Sequence, residues 1–272
     1  MEALTEYWGF YFVAIPDANG VGIRDLHDAL ELVTRYREWV PDLRALAPEE
    51  RTAQNNTNKY IAYRAFRRVL AARIVVFELF LRVATEIDGP LQAKHKRIWL
   101  LFQLFNQLNP QGGGSHPFIQ IIDKLCNASD DALDALVNRL DVIIKKYFPH
   151  SQLILGLDEA QWAARSYPYS GVSYSNPGAF RSIIREMVEA FAKAPVKIVV
   201  SGTSVSLADL ADSVASGVGK PTHNVKAFHE LEMFDTWPKL KLFLERYVPA
   251  SILNTPSWRC LQKRMQEYLL GR

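Results

Sequence analysis

The residue pattern predicts an α/β protein with a parallel sheet and a large helical insertion after the first strand. Three apolar runs carry that expectation. Residues 9–15, 153–157 and 196–200 are short, rich in Val, Ile, Leu and Phe, and bounded by Gly, Pro, Ser or acidic residues. Runs of that length and continuity read as strands buried on both faces, as in parallel sheets. Helical periodicity fills the long interval between the first and second runs, and a single helix joins the second to the third. Strand, helix, strand in one sheet is the βαβ unit, which keeps its strands parallel.

The first strand, Gly9 to Ile15, is closed by Pro16 and Gly20. A helix is expected over about Asp25 to Val40, with Leu26, Leu30 and Val33 on one face, followed by a polar, Pro-containing loop from Pro41 to Thr57. Helical spacing then runs from Asn58 to Ala84 and stops at Asp88-Gly89-Pro90. Leu91 to Leu108 is the next helix, and Gln111-Gly112-Gly113-Gly114-Ser115 is the clearest linker in the chain. Two more helices, Pro117 to Cys126 and Asp130 to Tyr147, complete an insertion spanning about 58–148, with Asp130 placed to cap the second. Beyond it come the strand Leu153 to Leu157, the helix Gly178 to Lys193 and the strand Val196 to Val200. A further strand is expected at Val225 to Phe234, and terminal helices at Thr236 to Tyr247 and Ser257 to Leu270. The organisation is therefore a core over 1–234 and a helical extension over 235–272.

Composition narrows the function classes. The chain has 272 residues, 49% of them hydrophobic and 22% charged, which is the balance of a folded and not a disordered chain. A net charge of +3 is too mild to signal nucleic acid. Cys126 and Cys260 have no CxxC spacing and no clustered His, so a zinc site is not expected. The start, Met1-Glu2-Ala3-Leu4-Thr5-Glu6, shows no basic, apolar signal peptide. The most apolar long stretch, Val69 to Val83, is interrupted by Arg73, Glu78 and Arg82 and reads as a buried helix, not a membrane span. An intracellular protein of cytoplasm or nucleus is the expectation, with secretion as an effector the alternative.

The chemistry-bearing pattern is Leu153-Ile154-Leu155-Gly156-Leu157-Asp158-Glu159, an apolar strand ending in two acids, which is the Walker B pattern. A buried parallel strand delivers its last residues to the carboxyl edge of the sheet, where ligands bind. One carboxylate there, Asp158, can hold Mg²⁺. The adjacent one, Glu159, can orient or deprotonate an attacking water. The third strand ends in Ser201-Gly202-Thr203, placing Ser201 or Thr203 where a hydroxyl could touch a terminal phosphate. Arg181 and Arg185 are expected one turn apart on the intervening helix, from which a guanidinium can reach a phosphate. The ligands implied are Mg²⁺ and ATP. Against them, no G-x-x-x-x-G-K-[ST] occurs in the sequence. Gly217-Val218-Gly219-Lys220 has Val214 at the first glycine position and Pro221 after the lysine. Element order in a P-loop core would put the phosphate loop just upstream of Met1, so a truncated core is expected.

Tyr7-Trp8-Gly9-Phe10-Tyr11-Phe12, Leu155-Gly156-Leu157-Asp158-Glu159-Ala160-Gln161 and Ser201-Gly202-Thr203-Ser204-Val205-Ser206-Leu207 together resemble the Crinkler-type NTPase domain of fungi and oomycetes. The resemblance extends over about Glu2 to Phe234. It implies a partial P-loop NTPase core of the ASCE class, a STAND-like ATPase switch that is usually fused to an effector domain. It implies a nucleotide ligand, and such switches often assemble, so a homo-oligomer or a protein partner is also in view.

Three other readings compete. Asp158-Glu159-Ala160-Gln161 imitates a DEAD-type helicase motif, but the 272 residues leave no room for the second lobe a helicase needs. A metal-dependent nuclease would need an acid two residues before Lys197, where Pro195 stands. A degenerate NTPase fold serving as a non-catalytic interaction protein fits the missing phosphate loop, with Trp99-Leu100-Leu101-Phe102, Leu104 and Phe105 as a surface for a partner.

Overall fold

The computed structural model describes residues 4, 6–15, 22–105, 116–173 and 178–202, together with 238, 241, 250–253, 255–258 and 261–263. The chain divides into two units, Met1–Val225 and Lys226–Arg272. In the second unit a short helix covers Ala250–Leu253, and Trp258 is buried. The expected strand at Val225 to Phe234, and nearly all of the two terminal helices, lie outside the described residues.

The first unit is α/β, built on a three-stranded parallel sheet. Strands β1 (Gly9–Val13), β2 (Leu153–Asp158) and β5 (Val196–Val200) lie in the order β1–β2–β5. Val13 pairs with Asp158, and Leu157 pairs with Val200, so all three strands end at one edge. Between β1 and β2 the chain forms helices α1 (Asp25–Val33), α2 (Pro48–Asp88), α3 (Ala93–Leu104), α4 (Pro117–Lys124) and α5 (Asp130–Tyr147). After β2 come α6 (Ala160–Ser166), a two-stranded hairpin of β3 (Gly171–Val172) and β4 (Phe180–Arg181), and α7 (Ile184–Ala192). Among the described residues no helix is long and apolar enough to cross a membrane.

The sheet has two unequal faces. Phe10, Phe12, Leu153, Leu155 and Leu157 enter the main core, which α2, α5 and α7 fill with Phe66, Phe77, Val137, Leu140, Met187 and Phe191. Phe12 stacks on Phe191 at 5.0 Å between centroids, and Phe77 on Phe148 at 6.0 Å. Alternation sends Tyr11, Val13 and Ile154 to the opposite face, where Leu4, Leu100 and Leu104 cover them. Cover thins toward β5, whose Lys197 and Val199 are exposed. Gly9 is required by close approach: a Cβ there would lie 1.8 Å from the Ile154 carbonyl oxygen.

Several helices depart from their expected bounds for identifiable reasons. The stretch Pro41 to Thr57 is not one loop. It contains a 3-10 turn at Leu43–Ala45, and α2 already starts at Pro48, ten residues before the expected Asn58. Proline at the first helical position costs no hydrogen bond, because that N–H has no intrahelical partner anyway. With 41 residues, α2 is about 60 Å long. Helix α1 ends at Val33, not Val40. Asn58 of α2 then takes over the chain, accepting from the Val40 N–H at 3.1 Å and donating to the Val40 carbonyl at 2.6 Å. Helix α5 is capped by Ser129, whose hydroxyl accepts from the Ala132 N–H at 3.2 Å, and not by Asp130. Asp130 is the first residue of the helix and pairs with Arg64 at 3.2 Å.

One charge pair anchors a network that joins four of these elements inside the core. Arg73 of α2 is fully buried, as is its partner Asp25 at the start of α1. The guanidinium grips the carboxylate with both prongs, Nε to Oδ2 at 2.6 Å and Nη2 to Oδ1 at 2.8 Å. Its remaining Nη1 donates to the Tyr11 carbonyl of β1 at 2.9 Å and to Gln103 Oε1 at 3.1 Å. The rings of Phe12 and Phe118 flank it at 4.5 and 4.2 Å. Gln103 in turn accepts from the Tyr11 N–H at 2.9 Å, and Trp99 donates to the Gly9 carbonyl at 2.7 Å. The outer edge of β1 is thus satisfied by side chains of α2 and α3 where another strand would ordinarily pair. Nearby His116 caps α4, its Nδ1 accepting from the Phe118 N–H at 3.3 Å, and burial together with the Arg73 charge pulls it down to about 4.

Removing one partner of a buried pair strands the other charge. Asp25→Leu is expected to cost about 3–5 kcal/mol in urea unfolding, and the double variant Asp25→Leu/Arg73→Met less than the single one. A single variant within about 0.5 kcal/mol of wild type would contradict the role given to the pair.

Candidate active site at the carboxyl edge of the sheet

The strand register brings three of the sequence-derived residues together at one edge. Asp158 ends the middle strand, Glu159 follows it, and Ser201 follows β5. The backbone fixes their spacing: the Ser201 N–H donates to the Leu157 carbonyl at 2.8 Å, the Ala160 N–H to the Ser201 carbonyl at 3.1 Å, and the Ala14 N–H to the Asp158 carbonyl at 3.0 Å. Neighbouring strand ends are therefore laced to one another just where the side chains emerge.

Asp158 is half-buried and accepts from three donors. Its Oδ1 takes the Ser201 hydroxyl at 2.7 Å and the Glu159 N–H at 3.0 Å, and its Oδ2 takes the Tyr11 hydroxyl at 2.7 Å. Burial works against its charge, but the hydrogen bonds from Ser201, Tyr11 and the Glu159 N–H outweigh it and hold the carboxyl below the usual carboxylate value. Asp158 is thus an ionised acceptor with a fixed orientation. A carboxylate offers about four acceptor positions, so among the described residues three bonds leave capacity for one more partner, on Oδ2.

Glu159 is the only non-glycine residue at positive φ among the described residues, at φ 55° and ψ 33°. A left-handed residue of this kind costs about 1–3 kcal/mol and persists only where its surroundings impose it. Here the kink turns the chain from β2 directly into α6. The Glu159 carboxylate accepts a hydrogen bond from the side-chain amide of Gln161. The rim is aromatic: Trp162 of α6 lies 4.8 Å from the His27 ring of α1, whose Nδ1 lies 3.2 Å from the Ala14 carbonyl oxygen.

Two other expected residues are placed elsewhere, and the helix proposed for them is shorter. Residues 178–183 are not helical: Phe180–Arg181 forms β4, and α7 begins at Ile184. Tertiary packing overrides the helical periodicity there. Phe180 meets Tyr169 edge-on at 6.2 Å, Arg51 covers its ring, and Asn55 accepts from the Val172 N–H at 2.8 Å. Arg181 therefore sits on a hairpin, donating to Ser173 Oγ at 2.8 Å, and is not one helical turn from Arg185. Arg185 is buried on α7, 3.9 Å from Glu186. Both arginines belong with Lys59, Glu186 and Glu189 in a charged cluster between α2 and α7, where Lys59 pairs with Glu189 at 2.8 Å. Thr203 lies outside the described residues.

Tyr11 is the site residue that sequence reasoning missed. It sits inside an apolar run read only as a strand, and nothing in that run marks one aromatic hydroxyl. Only the register of β1 against β2, which puts Tyr11 opposite Gly156 and two positions before the partner of Asp158, shows what its hydroxyl reaches.

Among the described residues no group of three or more His, Cys, Asp and Glu side chains gathers as a metal site. A cation here would rest on Asp158 and on oxygens brought by water or a ligand, as Mg²⁺ sites with one carboxylate commonly do. Compared with protein-family models, with curated proteins and with solved structures, the chain matches none.

The charged cluster has a pH signature. Burial pushes Glu186 up from 4.5 to about 7, against the pull of Arg185 and Lys59. A carboxyl whose folded value is raised binds its proton more tightly in the folded state, so it costs stability as pH climbs from about 4.5 to 7. Glu186→Gln is expected to gain on the order of 2 kcal/mol over wild type at pH 8 and little at pH 4. Urea unfolding at the two pH values measures it, and the same difference at both would refute the assignment.

Proposed function

We propose that this chain carries the acidic, water-orienting part of a nucleotide-hydrolysing P-loop-type core, acting as an ATP-dependent switch. The observation that supports it most is the arrangement around Asp158. An ionised carboxylate stands at the carboxyl end of the middle strand of a parallel sheet, beside a second acid on a strained turn and a hydroxyl from the next strand. The Walker B pattern assigns Asp158 to the cation and Glu159 to the attacking water, and the geometry is compatible with both roles.

In this reading Mg²⁺, when bound with the nucleotide, would offset charge on the phosphates. The protein's part is positional. Ser201 and the Glu159 N–H hold one oxygen of Asp158, and Tyr11 holds the other. Glu159, released from Gln161, would accept a proton from water lined up for attack. The Ser201 hydroxyl gives its one proton to Asp158, so in this reading Ser201 orients that carboxylate and does not donate to a phosphate. Arg181 and Arg185, held in the charged cluster around Glu186, are given no part in this reading. The phosphate cradle itself is not encoded by any G-x-x-x-x-G-K-[ST] in the sequence.

That missing motif favours a second reading, a non-catalytic interaction protein on the same fold. Exposed Ile98, Leu101 and Phe105 on one side of α3 would serve it. Trp99, Gln103 and Leu104 on the other side of α3 are buried and so belong to the core and not to any partner.

Binding and turnover separate the two. A fluorescent ATP analogue is expected to bind only with Mg²⁺, and Asp158→Asn to weaken it about tenfold or more. Glu159→Gln is expected to lower hydrolysis by roughly 10²-fold while binding persists. Absence of binding, or binding indifferent to Asp158, would overturn the nucleotide reading and leave the interaction reading.

A further inference from the structure

We infer that Tyr11 is the positioning residue of this site, and that the helical insertion sets the geometry of Asp158 through it; the inference rests on the nucleotide reading above. Tyr11 is joined at three points. Its hydroxyl donates to Asp158 Oδ2 at 2.7 Å, its carbonyl accepts from Arg73 of α2 at 2.9 Å, and its N–H donates to Gln103 of α3 at 2.9 Å. The residue is 5% exposed and packs on the face that Leu4 and Leu104 cover, so its ring is enclosed.

Each bond constrains a different degree of freedom. Arg73 and Gln103 hold the backbone of β1 at the residue whose ring projects toward the site. Oδ1 of Asp158 already accepts two hydrogen bonds, and Oδ2 accepts one, from Tyr11. The acceptor position left on Oδ2 therefore has its direction set by where the Tyr11 hydroxyl lies. Among the described residues, that position is the one left to receive a divalent cation or one of its waters. Outer partners that orient a ligating group typically change metal affinity by about 10- to 100-fold when removed.

The test uses the full chain with Mn²⁺ as a paramagnetic probe, followed through the ¹³C signals of labelled aspartates. Mn²⁺ is expected to broaden the Asp158 signal, identified by its loss in Asp158→Asn. Tyr11→Phe keeps the ring and removes only the hydroxyl, and is expected to weaken Mn²⁺ about tenfold. Gln103→Leu, remote from the carboxylate, is expected to weaken it in the same direction. Leu81→Ala, which lowers stability from within α2, serves as the control that a merely structural effect would follow, and is expected to leave Mn²⁺ affinity alone. If Mn²⁺ broadens Asp158 and Tyr11→Phe binds as tightly as wild type or tighter, the inference falls while the nucleotide reading stands. If Mn²⁺ leaves the wild-type Asp158 signal untouched, both fall together.

Discussion

The buried pairing of Arg73 with Asp25 is the constraint from which the rest of this fold follows. A guanidinium that no water reaches must have its donors satisfied internally, because an unpaired buried charge costs several kcal/mol. Asp25 uses two of its prongs, and a third goes to the Tyr11 carbonyl and Gln103. That single side chain ties the middle of β1, the start of α1, the middle of α2 and the end of α3 into one register. The aromatic cluster of Phe10, Phe12, Phe77, Trp99 and Phe118 then packs around a point already fixed. Dispersion and area burial supply most of the stability of such a core, while the charge pair selects which packing is adopted.

Much of this was legible in the sequence, but unevenly. Strand β5 matches the expected bounds, and β1 and β2 differ by two residues or fewer, because continuous apolar runs between turn residues have few other interpretations. Helix α5 matches Asp130 to Tyr147 for the same reason, its apolar positions recurring every three or four residues. The failures share one cause, a local signal overruled by a distant partner. Pro48 reads as a breaker until it is seen to open a helix. Phe180 and Arg181 read as helical until Tyr169, Arg51 and Asn55 are seen to hold them as a strand. Ser129 and Asp130 are both good caps, and sequence alone does not choose between them.

The site divides along the same line. Asp158, Glu159 and Ser201 were visible because a strand's end is a position that sequence can locate, and chemistry at strand ends is what parallel sheets provide. Tyr11 was not, since its importance lies in pairing with a strand more than a hundred residues away. Arg181 was misplaced because it was located by counting along a helix that does not extend so far, whereas Arg185 lies on that helix, buried beside Glu186. The strained turn at Glu159 could not be foreseen either, as nothing in Asp158-Glu159-Ala160 advertises a left-handed residue.

The side chains that close the outer edge of β1 have a consequence for how the sheet can grow. Trp99, Gln103 and Arg73 occupy the Gly9 and Tyr11 backbone groups that an incoming strand would need. Proteins commonly guard such edges with charge or proline; here the guard is a set of donors and an acceptor shaped to mimic a neighbouring strand. Extension is therefore one-directional. Among the described residues β5 is the opposite border, with Lys197 and Val199 exposed beside it. Among the described residues, the backbone open to a further strand is that of β5, whose carboxyl end runs into Ser201, one strand away from Asp158 and Glu159.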